Sequence, residues 1–201
     1  MHPLAKASLA LVLTFALSVS WLGAAKQEYF TDDELDTIRD AQELAVRVPA
    51  YFKLAERRLI FLGLMEKSEK EKEKERKERE KRAKEIKKAG ENAGTQIPPV
   101  DDTAYLADFT RAELLHGYIQ ALEEVMTNID DAYERKLEVR DSLEDLEKFA
   151  RETIPILSKF QPKNDSERSV LQDALDKAKE SMAGAKDALN VVPKTEKKRK
   201  N

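Results

Sequence analysis

The chain contains no cysteine. Disulfides, thiolate zinc sites, cysteine nucleophiles and thiol redox chemistry are excluded, and stability has to come from packing alone. Aromatic residues are only 6% of the 201 residues, while charged residues are 37%, against about 25% in average globular chains. Such a composition builds a modest core and leaves long solvated faces. A glycine-rich phosphate loop, EF-hand spacing and a G-x-S-x-G elbow are all missing, and with them the local signatures of nucleotide binding, calcium loops and serine hydrolases. No alternation of β-branched residues marks a strand. Histidine occurs only at His2 and His116.

Long apolar runs are also missing, with one exception. Nineteen residues between Lys6 and Lys26 carry no charge. A short basic start, an apolar run and a small-residue end at Leu22, Gly23, Ala24 and Ala25 are the parts of a secretory signal peptide, with cleavage expected after Ala25. The alternative is an uncleaved membrane anchor, since about 18 apolar residues can span a bilayer. Ser8, Thr14, Ser18 and Ser20 dilute the run and favour cleavage. The 176 residues that follow Ala25 suit one exported domain with extensions.

What is present is helical periodicity almost throughout. Thr31-Asp32-Asp33-Glu34 reads as a capping box, and Leu35, Ile38, Ala41, Gln42 and Ala45 follow at helical spacing. Pro49 interrupts. It is expected in the first turn of a second helix, after a turn near Leu44–Val48. That helix carries Phe52, Ala55, Leu59 and Leu62 on one stripe. From Glu66 to Lys88 the chain is almost pure Glu, Lys and Arg. Pairs at i,i+4 (Glu73/Lys77, Glu75/Arg79, Glu78/Arg82, Glu80/Lys84) favour a solvated helical extension, each contributing about 0.2–0.5 kcal/mol. Residues 90–102 form a Gly/Pro linker.

The apolar signal resumes with Leu115, Tyr118, Leu122, Met126, Ile129, Tyr133 and Leu137. It then shifts phase to Leu143, Leu146, Ala150, Ile154 and Leu157, so a turn or kink is expected near Leu137–Asp141. Pro162 ends this stripe, and Pro155 lies inside it as a candidate kink. Ser166 and Ser169 are candidate caps for a last helix, which runs through Val170, Ala174, Ala178, Met182, Ala185 and Leu189 and stops before Pro193. The expected fold is all-α, an antiparallel bundle of about four core helices with a long charged extension. Its parts are a leader at 1–25, N-terminal bundle helices at 26–64, the extension and linker at 65–102, C-terminal bundle helices at 103–190 and a basic tail at 191–201.

Candidate chemistry is sparse. Glu113-Leu114-Leu115-His116 is an E-x-x-H motif, which supplies two metal ligands from one helix face in ferritin-like bundles. That template needs a second copy, and the mature chain has no second histidine. Glu123, Glu124, Asp130, Asp131 and Glu134 form an acidic helix face, within a region (101–161) of 15 acidic and 7 basic residues. Paired carboxylates can act as acid and base or bind divalent cations, but they are more often a solvated face. Tyr105, Tyr118 and Tyr133 read as core-edge packing. No residue is assigned a catalytic, cofactor-binding or metal-ligating role. The tail charges Lys194, Lys197, Lys198, Arg199 and Lys200 make only a weak patch for an anionic surface, without specificity for nucleic acid.

Residues 32–59 (DDELDTIRDAQELAVRVPAYFKLAERRL) and 118–136 (YIQALEEVMTNIDDAYERK) together resemble a group of uncharacterised exported bacterial helical proteins. The resemblance is one of general pattern, covers about half the mature chain and implies a bacterial envelope setting without adding site residues. The expectation is therefore a non-enzymatic exported helical protein that binds another envelope protein. The alternative is a divalent-cation-binding bundle using Glu113, His116 and the Glu123–Glu134 face.

Overall fold

The structure is a computed structural model that describes residues 29–88 and 103–193. The leader, the linker at 90–102 and the tail charges from Lys194 onward lie outside the described residues. The described elements are α1 (Asp32–Asp40), α2 (Leu44–Phe61), α3 (Glu69–Lys88), a 3-10 turn (Ala104–Asp108), α4 (Arg111–Glu134), α5 (Arg140–Leu157) and α6 (Asp165–Val191). The chain is all-α among these residues, and α2, α4, α5 and α6 form a four-helix bundle. α2 and α6 each pack against both α4 and α5. Arg47 of α2 meets Asn128 late in α4, whereas Arg58 lies on Gly117 early in α4, so these two helices are antiparallel. Arg111 meets Glu167 and Met126 meets Ser181, so α4 and α6 run parallel.

The expected stripes supply the core. Phe52, Ala55 and Leu59 of α2, Leu115, Tyr118, Leu122 and Ile129 of α4, and Leu143, Leu146, Ala150 and Leu157 of α5 are buried. α6 contributes the small residues Ala174, Ala178 and Ala185, which let its backbone approach α4 and α5 closely. The α4 stripe does not stay inside for its whole length: Tyr133 and Leu137 are exposed.

Helix ends follow local chemistry. Thr31 and Glu34 form the expected capping box of α1. Ser68 and Glu71 make the same reciprocal pair at α3, and Thr110 and Glu113 at α4. The last helix is capped by Asn164, whose side chain accepts the Glu167 amide at 2.8 Å, and neither Ser166 nor Ser169 is its cap. The asparagine stands one residue before the helix, where its carbonyl oxygen reaches an otherwise unsatisfied amide.

Two turns depart from expectation. The break before α2 falls at Ala41–Glu43, and Pro49 sits inside α2, past its first turn. The bond it forgoes would have gone to the carbonyl of Ala45, an exposed residue, where the loss leaves no carbonyl buried in the core. The turn after α4 begins at Arg135, slightly ahead of the expected Leu137–Asp141. Lys136 there adopts φ +61°, and the Lys136 and Leu137 amides donate to Tyr133 and Ala132 in a Schellman motif. Gly63, at φ +71°, closes α2 in the same way. Pro155 lies two residues from the end of α5, which continues to Leu157.

α3 has no partner helix of comparable packing among the described elements. Several of its charges pair with one another along the helix. Arg76 joins Glu73 and Glu80, Arg82 joins Glu78, and Lys77 joins Glu73. The expected pairs Glu75/Arg79 and Glu80/Lys84 are replaced, because Glu75 reaches back to Lys67 and Glu80 to Arg76.

Candidate binding surfaces

The residues singled out from sequence do not converge. Glu113 is committed to its capping box: its carboxylate accepts from the Thr110 amide at 2.8 Å and from the Thr110 hydroxyl at 2.7 Å. Those bonds hold its carboxyl below the usual range. His116 stacks on Tyr29 with ring centroids 4.9 Å apart. Glu123 lies seven residues beyond His116, about 10 Å along the axis, and faces Lys177 at 3.6 Å. Asp130, Asp131 and Glu134 are exposed. Among the described residues no three His, Asp or Glu side chains gather as metal ligands.

The tyrosines divide three ways. Tyr118 is fully buried and shares a 2.7 Å hydrogen bond with Thr153, and burial raises its hydroxyl pKa. Tyr133 stays exposed. Tyr105 donates to Glu34 at 2.7 Å, and burial followed by that contact raises its pKa.

Glu34 belongs to a buried polar cluster that sequence reasoning did not anticipate. Arg58 of α2 is 1% exposed and makes a two-point pair with Glu34, at 2.9 and 2.8 Å. Arg58 also donates to the carbonyls of Leu54 and Tyr29, at 2.9 and 2.6 Å, and stands over the Phe30 ring. Burial alone would raise the Glu34 carboxyl. The Arg58 bonds and charge, with help from Tyr105 and the Thr31 amide, instead hold it below the usual range. On the opposite side Gly117 presses against Arg58, so that a Cβ there would lie 2.1 Å from Nε. This cluster ties the segment ahead of α1, the 3-10 turn and α4 to α2. It is closed to solvent and acts as a clamp. A glycine inside an otherwise good helix is the one sequence signal for it, since such a glycine marks close approach.

Two open surfaces lie among the described residues of the bundle. A cleft of about 570 Å³ separates the start of α3 from α2 and α5. Phe52 and Phe149, stacked at 4.4 Å, form its floor, and its rim mixes lysines with carboxylates. Glu56 there has a raised carboxyl pKa, from burial first and then from Glu71. The second surface is a groove of about 210 Å³ between α4, α5 and α6, with Met126, Ile129, Leu143, Leu146 and Ala188 among its lining. Its surface is mainly apolar, and α3 takes no part in it.

No family model, curated protein or solved structure matches this chain. Among the described residues no helix is long and apolar enough to cross a membrane.

Proposed function

We propose that this chain is an exported, non-enzymatic helical protein of the bacterial cell envelope that works as a protein-binding or scaffold module. The observation that carries the reading is the open, mainly apolar groove between α4, α5 and α6. Apolar surface left in a concave strip between packed helices is the form in which helical proteins receive a partner helix. The self-paired charges of α3 fit a spacer that holds chain segments apart while contributing nothing to the core. Export rests on the leader pattern before Lys26, and the envelope setting on the resemblance of 32–59 and 118–136 to exported helical proteins. The partner is another envelope protein, and the basic tail adds a weak, non-specific attraction to anionic surfaces.

Export is tested by the intact mass of the protein recovered from its producing cells, which is expected to correspond to a chain starting at Lys26. A mass retaining residues 1–25 would remove the cleaved-leader reading. Binding is tested by crosslinking capture from the envelope fraction with the full chain and with a copy lacking 66–90. A partner held by both copies places recognition on the bundle, and loss with the deletion moves it to α3. The absence of any partner would count against a scaffold role.

A further inference from the structure

We infer that the groove between α4, α5 and α6 receives a single amphipathic helix with cationic flanks, carried by a partner protein; this rests on the binding-module reading above and names the chemistry of its partner. The first support is Gly184. It lies in the interior of α6, where glycine is less favourable than alanine by about 1 kcal/mol. Nothing in the fold requires it, since a Cβ added there meets no atom within 4 Å. Gly117 shows the contrast, because Arg58 fills the space a Cβ would need. The bareness of Gly184 leaves room at the groove edge for a side chain from outside.

The second support is register. Along α4 the groove residues Met126 and Ile129 continue at helical spacing into Tyr133, with Leu137 just past the turn that ends the helix, and along α6 Gly184 and Ala188 continue into Val191. Tyr133, Leu137 and Val191 are 56%, 50% and 73% exposed. Because α4 and α6 run parallel, both rows leave the bundle at the same end. From Met126 to Tyr133, within α4, the strip extends about 10 Å, close to two helical turns. That length suits anchors at i, i+4 and i+7 of one docked helix. Met126 can reshape to the incoming side chains.

The third support is charge. Asp130 lines the groove on the α4 side and Glu180 on the α6 side. Among the described residues Asp130, and Asp131 and Glu134 beyond it, form no ion pair, whereas Glu180 is paired with Lys177. The C-terminal end of α4 lies here and adds negative helix-dipole potential, whereas the last carbonyls of α6, at Leu189 and Val192, accept from Arg140. Arg135 and Lys136 follow at the turn, outside the groove lining. The balance along the α4 wall favours lysine or arginine beside the apolar anchors and disfavours glutamate.

The test uses the full chain and two labelled peptides of about 18 residues that place leucine at helical spacing, one with lysine and one with glutamate at the remaining positions. Fluorescence anisotropy is expected to show saturable one-to-one binding of the leucine–lysine helix, with the leucine–glutamate helix at least about tenfold weaker. Gly184→Leu fills the open space and should weaken binding about tenfold or more, while circular dichroism shows an intact fold. Asp130→Asn should weaken only the lysine peptide. Equal binding of both peptides, unchanged binding by Gly184→Leu, or no binding up to about 1 mM would overturn the inference. So would a dimer in sedimentation that Gly184→Leu dissolves, since the occupant would then be a second copy. Envelope capture separates the two levels: a partner held equally by wild type and Gly184→Leu preserves the binding module and rejects the groove.

Discussion

Two glycines in parallel helices offer a direct measure of the buried clamp. Gly117→Ala and Gly184→Ala are the same chemical change, and both gain up to about 1 kcal/mol of intrinsic helix propensity. At Gly184 that gain is the whole effect, because the new methyl meets nothing within 4 Å. At Gly117 the methyl would sit 2.1 Å from Arg58 Nε and 2.8 Å from Cδ. Arg58 cannot swing aside without cost, since Glu34, Leu54 and Tyr29 hold its guanidinium. Disrupting a buried ion pair costs about 3–5 kcal/mol. The net expectation is a loss of about 2–4 kcal/mol for Gly117→Ala against a gain of about 1 kcal/mol for Gly184→Ala. Urea unfolding followed by circular dichroism, with slopes compared between variants, measures both. In an Arg58→Ala background the Gly117→Ala penalty should vanish, because the clashing atoms are gone. A Gly117→Ala variant within about 0.5 kcal/mol of wild type, or a penalty that persists without Arg58, would refute the clamp.

Other expectations follow from single features. Lys136→Gly should stabilise the bundle by about 1 kcal/mol, because it relieves a non-glycine residue at φ +61°; an unchanged or lower urea midpoint would contradict the Schellman turn. Glu34 has its carboxyl held low in the fold. Its contribution is therefore present above the ordinary carboxylate range, near pH 4.3, and is lost as pH falls through the lower folded value. Glu34→Gln should thus cost about 3 kcal/mol at pH 7 and progressively less in acid, so a deficit unchanged between pH 7 and pH 3 would exclude the ion pair. Deleting 69–88 should move bundle stability by less than about 0.5 kcal/mol, since α3 lacks a packed partner; a larger loss in thermal unfolding would show that the helix contributes to the core.

Much of the architecture is legible along the chain. Local rules suffice for α1, where Thr31 and Glu34 spell out a capping box, and for the stripes of α2 and α5, whose apolar residues stand at the helical period. The charged run at 66–88 also declares itself, because a segment without apolar residues has nothing to bury. Where local rules compete, sequence alone misplaces the boundary. Pro49 looks like a helix start, yet a single lost hydrogen bond at a wet position is tolerated inside α2. The turn at Lys136 carries neither glycine nor proline, so nothing local announces it.

The surfaces are a different matter. Glu113 and His116 share a motif, but one serves a cap and the other a ring stack, and helix rise keeps the Glu123–Glu134 face away from both. Tyr133 and Leu137 continue a core stripe in sequence but are exposed in space, at the last turn of α4 and just past its end at Glu134. Composition and periodicity determined that this protein is all-helical, held together without disulfides and solvated along one long segment, since those properties depend on neighbours a few residues apart. Only the tertiary structure decided that Arg58 is a buried cation held by Glu34, that Gly117 is obligatory while Gly184 is open, and that an apolar groove persists between α4 and α6. Each of those depends on which faces meet across the bundle, and the pairing of faces is settled by side-chain shape and volume summed over all the helices.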